Sequence, residues 1–251
     1  MKADATFTSI IFIILMIALA SGFTLMNTRA AHAEEKISFE KAELIKAENT
    51  FYIIDKSLGE TWFLSAVQAI FKSGNLGEEY WYRDGQSLVK NDDDIAKSLA
   101  ESMNDYLKIQ KSIKVNGVDV KISDIKAKFS VKDDEIVSEV TQKLDMSFGN
   151  TEISAKTTNV NKIKTKFKKL VSAANELVKS AMAFSGNADS YFDNEAKRIA
   201  NQFGVKYKLE KNIAGSRYDI KATFLDSYEY YRDSGDKFEK VPVFLAIKLK
   251  G

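Results

Sequence analysis

Cysteine is absent from the 251 residues, and histidine and proline occur once each. The first absence removes disulfides, thiolate metal sites and cysteine nucleophiles together. With His32 as the lone imidazole, histidine zinc sites and serine–histidine triads are excluded as well. Charge of one sign is also lacking. The 37 basic and 35 acidic residues leave none of the basic excess of a nucleic-acid binder, so no nucleic-acid partner is expected. No Gly-x-Ser-x-Gly elbow occurs, and no Gly-rich phosphate loop follows a strand. Paired carboxylates stand only in charge runs, where burial is not expected. The chain reads as non-enzymatic and without a cofactor. A domain of about 200 residues still buries an adequate core without cross-links.

Charge itself is missing from one long stretch. Between Asp4 and Arg29 lie 24 uncharged residues centred on Ile10-Ile11-Phe12-Ile13-Ile14-Leu15-Met16-Ile17-Ala18-Leu19-Ala20. About 20 such residues cross the hydrocarbon core as a helix. A cleaved signal would have a basic n-region, an apolar stretch of about 7–15 residues and a small-x-small site. Ala31-His32-Ala33 fits that site, but Asp4 offsets Lys2 and the apolar run reaches Met26. Helical spacing then continues through Ile37, Leu44, Ile45, Phe51, Ile54, Leu58, Trp62, Val67 and Ile70, with no Pro or Gly between Thr24 and Leu58. One long helix, half in lipid and half outside, is the simpler reading. Lys and Arg counts (Lys2 before the segment; Arg29, Lys36 and Lys41 after) favour a cytoplasmic C-terminal part, but that rule loses force for long domains. A single-pass membrane protein with an extracellular C-terminal domain is expected. The expected organisation is a transmembrane anchor over 1–28, an exterior amphipathic helix over 29–73 and an ectodomain over 74–251.

Beyond Lys72, Ser73-Gly74-Asn75-Leu76-Gly77 breaks the helix, and Glu78–Gly85 reads as a loop. Asn91 and the following aspartates cap a helix with an apolar face of Ile95, Leu99, Met103, Tyr106 and Leu107. From Ile113 the period becomes 2. Asn116-Gly117 between Val115 and Val118 signals a hairpin. Ile125, Ala127, Phe129 and Val131 alternate before a turn at Lys132–Glu135. Ile136, Val140, Leu144, Met146 and Phe148 alternate next, and Gly149-Asn150 turns into Ile153 and Ala155. An amphipathic helix is predicted from Ile163 to Met182 and another from Phe192 to Phe203, stopped by Gly204. Strands are predicted over Val205–Leu209, Tyr218–Phe224 and Val241–Leu249. The expected class is α+β, with helices packed on one face of a mainly antiparallel sheet.

The uncharged helix running directly into an exterior amphipathic helix resembles the N-terminal half of archaeal and bacterial type IV pilin-like proteins. That resemblance implies a membrane-held subunit whose helix packs into a filament core. Met1-Lys2-Ala3-Asp4-Ala5-Thr6-Phe7 departs from it, lacking the Gly followed by a Glu five residues on that goes with prepilin processing. The whole order, from anchor to the late strand Phe244–Lys250, is similar to uncharacterised single-pass surface proteins of archaea, which implies no known activity.

Two segments share the order acid, aromatics, Arg, Asp and Gly. They are Glu79-Tyr80-Trp81-Tyr82-Arg83-Asp84-Gly85 and Glu229-Tyr230-Tyr231-Arg232-Asp233-Ser234-Gly235. Tyr, Trp and Arg are enriched at recognition hot spots, so Tyr80, Trp81, Tyr82, Arg83, Tyr230, Tyr231 and Arg232 are candidate binding residues for a protein or glycan, forming one surface if the segments meet. The competing reading is packing, since tyrosines commonly bury all but the hydroxyl. Asp92-Asp93-Asp94 offers clustered oxygens for Ca²⁺ but lacks EF-hand spacing, and capping explains it better. Lys162, Lys164, Lys166, Lys168, Lys169 and Lys179 read as the solvated face of a core-packing helix, or as a membrane-surface contact. Two functions fit. One is a structural or adhesive surface protein whose long helix anchors and assembles, with the bilayer and other protein chains as partners. The other is an anchored ectodomain binding a ligand or a protein of a membrane complex. An exposed apolar stripe on the helix favours the first, and a pocket of Tyr80, Trp81, Tyr82 and Tyr230 the second.

Overall fold

In the computed structural model, which describes residues 39–74, 80–107, 112–115, 118–148, 151–214, 217–233 and 237–251, the first described element is one continuous helix, α1 (Phe39–Gly74). Its 36 residues span about 54 Å at 1.5 Å per residue. No described helix is long and apolar enough to cross a membrane. The uncharged run, the Ala31-His32-Ala33 site, and the Asn116-Gly117 and Gly149-Asn150 turns lie outside the described residues.

The strands form two sheets where the sequence predicts one. The first has the order β2 (Gln86–Ser87), β1 (Tyr80–Arg83), β9 (Phe238–Lys250), β8 (Arg217–Asp233), β7 (Lys206–Ala214); β1 runs parallel to β9 and the other pairs are antiparallel. The second is the antiparallel meander β4 (Val118–Val131), β5 (Glu135–Phe148), β6 (Thr151–Lys164), with short β3 (Ser112–Val115) on the β4 edge. Val115 pairs with Val118 and Phe148 with Thr151, as two-residue hairpins require. The period-2 pattern of β4 is re-phased at a bulge. Between the Ser123–Lys143 and Lys126–Thr141 pairs, Asp124 takes a left-handed backbone (φ 53°). The inward set therefore changes from Val118, Val120 and Ile122 to Ala127, Phe129 and Val131.

Helix α2 (Asp92–Leu107) packs on α1 and β4 through Ile95, Leu99, Met103 and Leu107. Its start is a reciprocal cap: the Asp94 N–H donates to Asn91 Oδ1 (2.9 Å), and the Asn91 N–H donates to Asp94 Oδ2 (3.1 Å). Helices α3 (Phe167–Met182) and α4 (Ala188–Phe203) cover one face of the five-stranded sheet. Asn187 caps α4, and Gly204 closes it in the left-handed conformation (φ 63°) that a side chain would oppose. The predicted start of α3 at Ile163 is too early. β6 runs through Lys164, and Ile163 is a fully buried strand residue paired with Ile136.

The helix expected to stand outside the ectodomain forms its central wall. Ile54, Leu58, Trp62, Ala66 and Ile70 belong to the same core as both sheets, so the expected boundary at 73/74 runs through that core. From Ser65 to Phe71 every residue is buried, because two sheets and α2 surround this stretch. Along the inner half of α1, Trp62 and Gln68 have specific polar partners, whereas the buried Ser65 hydroxyl has none. Trp62 Nε1 donates to Gln142 Oε1 (2.8 Å), and Gln142 Nε2 donates to Thr157 Oγ1 (3.1 Å), which seats α1 on the second sheet. Gln68 Nε2 donates to the Tyr231 carbonyl (2.8 Å), and the Asp233 N–H donates to Gln68 Oε1 (3.1 Å). One amide side chain thus acts as a short surrogate strand on the β8 edge beyond β7. Gly74 ends the helix against β9, where an added Cβ would clash with the Phe244 carbonyl oxygen.

Candidate functional site

The two aromatic segments are strands, and they sit at opposite ends of one sheet. Tyr80, Tyr82 and Arg83 pair with Lys248, Leu249 and Lys250, whereas Tyr230, Tyr231 and Arg232 pair with Val241, Lys240 and Glu239. Leu249 and Val241 are eight residues apart on β9, roughly 26 Å at about 3.3 Å per residue. The joint recognition surface is therefore not formed. The loop reading failed because flanking charges and Gly85 look like a turn, whereas alternating aromatics are good strand residues.

A register irregularity between Tyr80 and Tyr82 turns Trp81 under the helices, where it is 0 % exposed. Trp81 is a core residue and offers no surface for recognition. Its Nε1 has no hydrogen-bond partner, and Lys90 Nζ lies 5.5 Å from its ring centroid. Tyr82 packs against the core beside Tyr218, whose hydroxyl is pushed up in pKa by burial and by Tyr82. Tyr80 faces the opposite side, with Arg83 and Lys248 over its ring at 5.3 and 5.7 Å and its hydroxyl donating to Asp219 (3.3 Å). At the far end, the Tyr230 hydroxyl donates to the Lys164 carbonyl (2.9 Å) and its ring meets Phe63 edge-on. Arg232 pairs with Glu239 (2.9 Å) and stacks over Phe244. Of the seven candidates, Tyr231 (60 % exposed) and Arg83 are the exposed ones.

Phe63, which the Tyr230 ring meets, lines a feature the sequence did not disclose. A groove of about 730 Å³ runs between α1 and the edge strand β6, lined by Tyr52, Lys56, Gly59, Phe63, Asn159 and Val160. Helix and strand approach closely at Gly59, where an added Cβ would stand 3.1 Å from Asn159 Oδ1. Asn159 Nδ2 donates to Asp55 (3.2 Å), and the buried Asn161 Nδ2 beside it has no partner. Tyr52 (67 % exposed) and Val160 (56 % exposed) give the groove an open apolar rim. Nothing in the sequence pointed to it, because its walls come from residues about 100 positions apart.

The acidic runs and the lysine-rich segment answer one another. Lys168 bridges Asp92 (2.9 Å) and Asp133 (3.3 Å), and Lys169 pairs with Asp134 (2.7 Å). The hydrogen bonds to Asp92 and Asp133 hold Lys168 above the ordinary lysine range, and the one from Lys169 holds Asp134 below the ordinary aspartate range. These pairs tie the α2 start and the β4–β5 turn to α3. Lys162 and Lys164 lie instead on β6. Among the described residues no three His, Cys, Asp or Glu side chains group to hold a metal ion.

A second polar site is structural and was also invisible in sequence. Asp226 is 3 % exposed at the irregularity in β8 between Leu225 and Glu229. Its Oδ2 accepts from Thr165 Oγ1 (2.8 Å) and the Lys166 N–H (2.6 Å), and Oδ1 accepts from the N–H groups of Ser227 (2.6 Å) and Tyr228 (3.3 Å). Lys166, the N-cap residue of α3, makes no side-chain cap, so a carboxylate sixty residues away serves that helix start.

No protein-family model, no curated protein and no solved structure matches this chain.

Proposed function

We propose that the protein is a membrane-held, non-catalytic surface protein, structural or adhesive in role, in which α1 joins an N-terminal membrane segment to the α+β head and mediates contact between chains. The observation that carries this reading is the division of α1. Its C-terminal half is built into the core, while its N-terminal half buries only a stripe and exposes Ile45 (46 %) and Tyr52 (67 %) seven residues apart on one side. The pocket expected of a ligand-binding head, lined by Tyr80, Trp81, Tyr82 and Tyr230, is not formed. This helix-to-head arrangement also supports the pilin-like reading, in which the C-terminal domain would be extracellular.

Fractionation of cells tests the first part. The intact chain stays in membranes through salt and carbonate washes, and protease added outside digests the head. Soluble protein beginning at Glu34 refutes the anchor. Light scattering of the full-length chain in detergent tests the second. A multimer is expected, and the double variant Ile45→Glu/Tyr52→Glu dissociates it with little change in melting temperature. A chain that is monomeric at all concentrations and captures another protein through the α1–β6 groove favours the second reading, an anchored accessory subunit; an extended segment added to the β6 edge suits that groove.

A further inference from the structure

The whole chain is nearly neutral, but one face of the five-stranded sheet is not. Tyr218, Ile220, Ala222 and Phe224 lie buried beneath α3 and α4, so the alternate residues of β8 and their partners on β7, β9 and β1 face the other way. One row across this outer face reads Glu210, Lys221, Lys248 and Tyr80. The next reads Asp219, Lys250 and Arg83. The exposed Lys208 and Arg217 extend the positive charge toward the β7 edge.

Within these rows Lys221 stands directly opposite Lys248, and Arg83 directly opposite Lys250. Like charges in directly opposed strand positions destabilise a sheet. Internal compensation is partial. Lys221 lies 3.9 Å from Glu210, Asp219 stands opposite Lys250, Arg83 lies 3.5 Å from the exposed Asp84, and no described ion pair holds Lys248. The arrangement costs the fold stability that an anionic ligand would restore.

The chemistry of the face selects among polyanions. Lysine is depleted at the centres of protein interfaces, and its ammonium is a hydrated point charge suited to diffuse anions. Single-stranded nucleic acid needs open aromatic faces for base stacking, but the Tyr80 ring is flanked by Arg83 and Lys248. Glu210 and Asp219 stand among the cations, where they would repel a uniformly charged phosphate backbone. They would instead accept hydrogen bonds from hydroxyl groups. A polymer carrying both carboxylates and hydroxyls meets all of these groups.

We propose that this face binds an acidic polysaccharide, its carboxylates pairing with Lys221, Lys248, Lys250 and Arg83 and its hydroxyls donating to Glu210 and Asp219. This names a ligand class for the adhesive reading and rests on that reading only for where the polymer is met.

Binding of the full-length chain in neutral detergent to immobilised polygalacturonate, with dextran as the neutral polymer, tests it. Polygalacturonate is bound in preference to dextran, and binding weakens with added salt. Lys221→Glu/Lys248→Glu lowers the affinity by at least about tenfold, whereas Lys126→Glu/Lys128→Glu, the same charge change on exposed β4 positions, lowers it by less than about threefold. Lys248→Gln, which removes one like-charged pair, melts no lower than the parent and still weakens binding, so the result does not depend on the reversal variant folding. No preference over dextran, an equal loss in the β4 variant, or tighter binding of single-stranded DNA overturns the proposal. Failure of membrane retention is read separately by fractionation and leaves these measurements unaffected.

Discussion

Replacing Asp226 tests whether the fold depends on one buried carboxylate at the junction of its two sheets. Asp226→Ala leaves the Thr165 hydroxyl and the Lys166, Ser227 and Tyr228 N–H groups without their acceptor. An unsatisfied buried donor costs about 1–3 kcal/mol, and loss of a carboxylate at a helix N-terminus costs about 0.3–2 kcal/mol more. Ser227 and Tyr228 are near enough to the surface for water to replace part of their loss, so about 3–5 kcal/mol is expected in all. At about 2–4 °C per kcal/mol for a domain of this size, the melting temperature falls by roughly 6–20 °C. Asp226→Asn separates the two ends of the group. Its carbonyl can serve Thr165 and Lys166, but its NH₂ then meets the N–H donors of Ser227 and Tyr228, so roughly half the loss is expected. Urea unfolding followed by circular dichroism, on the full-length chain in detergent, gives both values. An alanine variant within about 1 kcal/mol of the parent, or an asparagine variant no better than alanine, refutes the reasoning.

Trp81→Ala empties a fully buried site and is expected to cost about 3–5 kcal/mol, whereas Trp81→Phe removes an unpartnered N–H along with one ring and costs about 1 kcal/mol or less; Tyr231→Ala, at an open position, stays within about 0.5 kcal/mol. Truncation to residue 73 removes Ile54, Leu58, Trp62, Ala66 and Ile70 from the core; at roughly 1.5–3 kcal/mol for each large apolar side chain this approaches a domain's whole stability of about 5–15 kcal/mol. The truncated chain should show no cooperative melt, and one that melts like the parent places the core elsewhere. Asp134, held below its ordinary 3.8 by the Lys169 hydrogen bond, adds stability above that value and loses it as pH falls through its lower folded value; Asp134→Asn therefore lies slightly below the parent at neutral pH, loses less stability as the pH falls below about 4, and converges with the parent in stronger acid.

What the sequence made legible is what local physics controls. The hairpin at residues 115–118, the cap at Asn91 and Asp94, the Gly204 stop of α4, and the alternation of β5 and β9 each depend on a few adjacent side chains. The errors share a different cause. A buried stretch of α1 rich in Ser, Thr and Gln resembles a solvated helix until Gln142, Tyr231 and Asp233 are known to be its partners. Ile163 has the spacing of a helix position and the pairing of a strand, and only the β5 register decides between them.

The same distinction separates the candidate sites. Residue type alone singled out the two aromatic segments, yet neighbours remote in sequence assign Trp81 to the core and Tyr230 to a seal between Phe63 and the end of β6. The positive face of the five-stranded sheet has the opposite history. Its lysines are scattered through β7, β8 and β9 without forming any run that a sequence would flag, and pairing alone sets Lys221 against Lys248 and Arg83 against Lys250. Aromatic residues that sheet pairing sets against apolar partners, as Tyr82 against Leu249 and Tyr230 against Val241, lower the energy of the fold and need no ligand to account for them. Like charges brought together the same way raise it, and an anionic ligand would add to the partial compensation from Glu210 and Asp219. That difference in sign is why the charged face, and not the aromatic segments, carries the proposal of a binding site.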